Sequence, residues 1–178
     1  MPTEISGSTG VNKIQDGTVV NADINSSAAI AGSKISGGVG KVLQVVSSIA
    51  QAYVGITSTS FVDTGTSATI TPSSTSSKIL CLYHSGICYA DSNNTNFYAH
   101  YTLLRGSTNL GHSTGGISGT YLHSGTYNDY GFNVSFNYLD SPSTTSATTY
   151  KIQFRTTAGT LVSDLDGRSG ITLMEIAG

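Results

Sequence analysis

The chain has 178 residues, enough for one domain with a buried core, yet only 10% are charged, against roughly 25% in a typical soluble protein. The formal net charge is −2, and the eight Lys and Arg residues are scattered along the chain, which argues against a nucleic-acid footprint. No apolar run approaches the ~20 residues needed to cross a membrane, and MPTEISGSTG at the start lacks the basic-then-apolar pattern of a secretory signal, so the expected place of synthesis is a cytoplasm that the protein leaves only when something releases it.

Ser, Thr, Gly and Asn stand where charge is usually found. The chain is still 38% apolar and carries ten Tyr and five Phe, so the composition is not that of a disordered segment. Small polar and β-branched residues with little charge suit strands joined by tight turns.

Residues 1–40 differ from the rest. They contain no aromatic residue, and Ile14, Val19, Ile24, Ile30 and Ile35 recur at close to five-residue intervals. That beat matches neither the 3.6-residue period of a helix nor the 2.0 of a strand. It predicts an extended segment whose isoleucines are buried when three copies wind around one axis. A flexible leader is the plain alternative, as is a short helix through Asn25–Lys34 stopped by Gly37-Gly38. Gly37-Gly38-Val39-Gly40 reads as the linker, giving an N-terminal segment 1–40 and a head 41–178.

From Lys41 the pattern turns strand-like. Lys41–Ser47 opens the series, and in Gly131–Asp140 the residues Phe132, Val134, Phe136 and Tyr138 alternate with Asn133, Ser135 and Asn137, the mark of one half-wet strand. Tyr150, Ile152 and Phe154 alternate with Lys151, Gln153 and Arg155 in the same way. Lys78–Tyr83 and Phe97–Leu104 are apolar on both faces, predicting central strands or a subunit interface. Turn signals separate the runs at Thr71-Pro72-Ser73, Asp91–Asn94, Arg105-Gly106-Ser107, Asp140-Ser141-Pro142 and Asp166-Gly167. The closing ITLMEIAG predicts a strand built into the sheet, with nothing following the domain. About eight to ten strands over 41–178 predict an all-β, jelly-roll-like β-sandwich head.

Chemistry is sparse. Cys81 and Cys88 would lie about 23 Å apart on one strand, whereas a disulfide needs Cα atoms within about 7 Å, so buried free thiols are expected. Asp164 and Asp166 stand two apart in SDLDGRSG. They read more simply as a hairpin turn closed by Asp166-Gly167 than as a glycosidase pair or half a calcium loop lacking its later acidic ligand. His84, His100, His112 and His123 show no metal spacing, and His84 and His100 are expected to be packed within strands. No G-x-S-x-G elbow is present. No enzyme activity, metal or cofactor is expected.

Binding chemistry concentrates in GHSTGGISGTYLHSGTYNDY, residues 111–130. There His112, Tyr121, His123, Tyr127, Asn128 and Tyr130 stand among Gly and Ser, the chemistry of paratopes and of sugar stacking. Ordinary loop or inter-subunit contact is the competing reading, and the chain has no Trp.

Two sets of motifs carry a resemblance. DGTVVNADINSSAAIAGSKI at 16–35 is one. The other runs KVLQVVS, TITPSSTSSKIL, LLRGSTNL, LDSPSTTSATTYKIQF and ITLMEIAG in order through the head. Together they resemble tail-fibre and related virion proteins of bacteriophages, especially those of cyanobacteria and other marine bacteria. The resemblance implies a homotrimer in the virion, assembled in the host cytoplasm. Its residues 1–40 would contact other tail or capsid proteins, and its β heads would point outward towards a host-surface glycan or protein. The tail-attachment domain and long shaft of long tail fibres are missing. A short tail fibre, a head fibre and a capsid or tail decoration protein therefore stay open.

Overall fold

The computed structural model describes residues 41–50, 53–91, 96–123 and 129–178. The chain divides into two units, Met1–Val39 and Gly40–Gly178. All described residues belong to the second, so Ile14, Val19, Ile24, Ile30 and Ile35 lie outside them, as do Tyr127 and Asn128.

The described residues are all-β, without a helix. They form β1 (Val42–Ala50), β2 (Val54–Ile56), β3 (Val62–Ile70), β4 (Lys78–His84), β5 (Ile87–Asp91), β6 (Phe97–Arg105), β7 (Thr108–Asn109), β8 (Ser118–Leu122), β9 (Asp129–Phe132), β10 (Ser135–Asp140), β11 (Thr148–Thr156), β12 (Thr160–Asp166) and β13 (Ser169–Ile176). Three antiparallel sheets result, ordered β1-β13-β4-β10, β2-β12-β5-β9 and β3-β11-β6-β7, with β8 also pairing β6.

Eight to ten strands were expected, and thirteen are found among the described residues. The first two sheets explain the excess. At each position, consecutive strands of the chain occupy the same place in both: β1 with β2, β13 with β12, β4 with β5, β10 with β9. These sheets are two panels of one bent four-row sheet, and the strands break where the rows cross the crease. The predicted single strand Gly131–Asp140 is therefore two strands divided at Asn133-Val134. Likewise, Ser85-Gly86 is a break between panels, not a reversal.

Backbone groups left unpaired at the crease find other partners. The Ser85 N–H donates to the Val134 carbonyl at 2.8 Å, and the Val134 N–H donates to Ser85 Oγ at 2.8 Å. Gly86 N–H donates to Asp164 Oδ1 at 3.1 Å, while the Ser169 hydroxyl donates to the same oxygen. Asp164 is buried, with φ 54°. It is a hydrogen-bonding hub inside the crease, not part of a surface turn. Asp166-Gly167 joins β12 to β13, which lie in different panels and do not pair, so the predicted hairpin is a panel crossing. Gly167 makes it at φ 99°, in a region that favours glycine.

One buried cluster draws on all three sheets, with Tyr101, Tyr150, Phe97 and Phe154 the largest fully buried side chains. Alternation puts them there. Tyr150, Ile152 and Phe154 point inward from β11 while Lys151, Gln153 and Arg155 are half-buried on its other side. β4 lies between β13 and β10, and β6 between β11 and its β7 and β8 partners, so both are central strands, while the second face of β4 stays open with Leu82 39% exposed. On β6, the outward Thr102 and Leu104 are buried, and the following segment returns over this strand. There the Thr102 hydroxyl donates to Asn109 Oδ1 at 2.6 Å and the Leu110 N–H to the Leu103 carbonyl at 2.9 Å. β13 is an inner strand between β1 and β4.

Cys81 and Cys88 are buried free thiols. Two buried carboxylates also tie elements together. Asp140, at the end of β10, accepts from Arg105 Nη1 at 2.9 Å through both oxygens and from the Tyr150 hydroxyl at 2.6 Å. Glu175 of β13 accepts from Gln44 Nε2 at 2.6 Å and from the Ser73 N–H and hydroxyl at 2.7 Å each.

Candidate functional site

The outer face of the β3-β11-β6 sheet carries a strip of exposed rings. In the β6–β8 ladder Tyr98 faces Tyr121, and His100 faces Gly119. Phe97, Ala99 and Tyr101 fill the inward positions of β6, so strand alternation sends Tyr98 and His100 outward together. The rings of Tyr98 and Tyr121 lie 4.5 Å apart at centroid, and both are nearly half exposed. His100 stacks parallel to Tyr98 at 5.5 Å, and His123 meets Tyr121 edge-on at 6.4 Å. Gly119 allows this arrangement, since a Cβ there would strike the Ala99 carbonyl and crowd the His100 ring.

A cationic end continues the strip. Arg155 of β11 is the cross-strand neighbour of His100. Its Nη1 donates to the Thr59 carbonyl at 2.8 Å, and its guanidinium lies 5.6 Å from the Phe61 ring centroid, within cation–π range. Burial and the Arg155 charge lower the His100 pKa, against a hydrogen bond with the Gly115 backbone that raises it. The neutral form of the His100 ring is thereby favoured.

Beyond Arg155 the face turns polar. Asp63 accepts from Lys151 Nζ at 3.0 Å and from Gln153 Nε2 at 2.5 Å. Burial pushes the Asp63 carboxyl up, but these bonds and the Lys151 charge hold it below its ordinary value. Next to them, Gly65 (φ 87°) shifts the β3–β11 register and leaves a dimple of about 70 Å³. About 10–15 Å³ of such space holds one water, so the dimple takes a few waters.

Tyr121 and His123, predicted from the Gly/Ser-rich stretch, are part of the strip. His112 is elsewhere in role: its Nδ1 accepts from the Gly115 N–H at 3.0 Å and the Thr114 N–H at 3.3 Å, fastening its own turn. Tyr130 is on β9 in another sheet, with its ring parallel to Phe132 at 6.2 Å. Tyr98, His100, Phe61 and Arg155 were not singled out as binding residues. The signal was present as the i, i+2 pair in FYAHY, but it was masked by a strand that looks apolar throughout. His84, expected to be packed, is exposed and lies over Gly170 on the neighbouring strand.

Among the described residues no three His, Cys, Asp or Glu side chains are grouped to hold a metal, and no helix is long and apolar enough to cross a membrane. What the strip offers is rigid aromatic faces, phenolic hydroxyls and one guanidinium, which suit stacking on sugar faces or on a partner's side chains. No protein-family model matches the chain, and no curated protein matches it.

Proposed function

We propose that the chain is a structural protein of a bacteriophage virion: a short trimeric tail fibre, attached through residues 1–40, whose jelly-roll β-sandwich head binds a receptor on the host surface. Strand order supports the jelly roll. Counting each row crossing the crease once, and setting the short β7 aside, eight rows run through the head, ordered 1-8-3-6 in the bent sheet and 2-7-4-5 in the other. That is the arrangement of two nested Greek keys. The resemblance of residues 16–35 and of the head motifs supports the virion assignment.

The observation that carries the receptor role is the exposed Tyr98–Tyr121 pair flanked by His100, His123 and Arg155. Stacked rings on a rigid sheet lose little side-chain freedom on binding. Such surfaces suit glycans, whose C–H faces stack on rings while hydroxyls bond to Tyr and Arg.

The test is binding of full-length protein to host cells and to an array of surface glycans. Tyr98→Ala with Tyr121→Ala should weaken binding by roughly tenfold or more while leaving the unfolding midpoint little changed, because both rings are half exposed. Undiminished binding by a folded double variant would overturn the receptor role. Gold labelling on intact particles separates the alternatives: label on the capsid would favour a head fibre or decoration protein without a receptor role.

A further inference from the structure

The opposite outer face of the head has a different character. By strand register, Val45 of β1 faces Met174 of β13, Met174 faces Leu80 of β4, and Leu80 faces Leu139 of β10. The result is one apolar row across all four strands. Leu43, Ile49 and Leu82 extend it to either side, with Val45 56%, Ile49 63% and Leu139 52% exposed. Between them lie Ser47, Thr172 and Asn137, all uncharged. The carboxylates of these strands, Glu175 and Asp140, are turned inward and buried.

We infer that this face of the β1-β13-β4-β10 sheet is where copies of the chain associate, three around one axis, with the Val45-Met174-Leu80-Leu139 rows lining it. The inference rests on the homotrimer reading above and specifies its interface. Charge distribution distinguishes the two outer faces: Asp63, Lys151 and Arg155 mark the other as a wet surface, whereas here the exposed charge on the four strands is Lys78, at the end of β4 beyond the Val45-Met174-Leu80-Leu139 row.

Size and shape agree with a copy of the chain as occupant. Four rows at ~4.8 Å and about eight residues at ~3.3 Å cover roughly 500 Å² in projection. Side-chain relief brings that towards the ~800 Å² per partner of a standard interface. An exposed apolar patch of that extent is large for a monomer. Three faces about 19 Å wide, closed into a triangular prism, stand about 5.5 Å from the axis, close to half the ~10 Å spacing of packed sheets. Side chains of Leu and Met size fill that gap.

Sedimentation of the full-length chain tests this. Val45→Glu with Leu139→Glu, both exposed in the single chain, should weaken association by roughly a hundredfold or more while preserving the β-sheet circular dichroism. To exclude residues 1–40 masking the effect, Thr172→Cys in the otherwise wild-type chain carries a spin label, which the buried Cys81 and Cys88 do not take up. Labels on the axis should give one short distance of ~20 Å or less. A trimer with no short distance overturns the interface and leaves the trimer reading standing. A wild-type chain that sediments as a monomer overturns both.

Discussion

Glu175 shows what a single side chain does in this head. Burial alone would raise its pKa, but hydrogen bonds from Gln44 and Ser73 prevail and bring it from an ordinary 4.5 to about 2. A carboxylate whose folded pKa lies below its unfolded value contributes stability above the unfolded pKa and loses it as pH falls. The head should therefore lose stability between pH 4.5 and about 2, followed by the urea midpoint at each pH. Glu175→Gln should lower the midpoint at pH 7 and flatten the acid slope. Nothing in the sequence announced this role: Glu175 reads as one polar residue in an alternating strand, and its partners lie 102 and 131 positions away. Asp140 is the same case, read as a turn residue and found bonded to Arg105 and Tyr150. Side chains that satisfy distant groups leave no local mark.

Strands were the legible level. β11 follows its alternation with little departure, since one wet and one dry face imposes a two-residue period. The crease was not legible, because Ser85-Gly86, Asn133-Val134 and Gly167-Arg168 lie far apart in sequence and align only after the rows pair. Gly167 is the most constrained of these, at φ 99°. A Cβ there would have ordinary room, 3.5 Å from Gly86 Cα, so the cost of Gly167→Ala is backbone strain alone. We expect about 1–2 kcal/mol less stability, measured by chemical denaturation. The strip of rings was half legible: Tyr121 and His123 stood out in a Gly/Ser background, while Tyr98 and His100 were concealed in a strand that also fills the core.

At the scale of the molecule, the head has two kinds of outer surface, one ringed and charged, the other apolar with a single exposed lysine, Lys78, at the end of β4. Overall composition averages the two and hides the difference. The enclosed interior has its own readout. Cys81 and Cys88 are buried without a partner thiol, and burial with the nearby Asp140 charge pushes the Cys81 thiol up to about 12. Neither should react with a thiol reagent in the native state at pH 8, and both should react on unfolding. The reaction rate then reports opening of the whole head. Appreciable native labelling would show that the core opens locally.

The first and last strands have a mechanical consequence. β1 and β13 lie antiparallel in register from Gln44↔Glu175 to Ala50↔Ser169, and the Ala177 N–H closes on the Lys41 carbonyl at 2.9 Å. Tension entering the head at Lys41, with the load held at the ring strip on the other sheet, runs along β1. It must shear that ladder as a unit instead of peeling it bond by bond. A head tethered this way should yield abruptly at high force, whereas one pulled between Lys41 and Ala177 should unzip at low force.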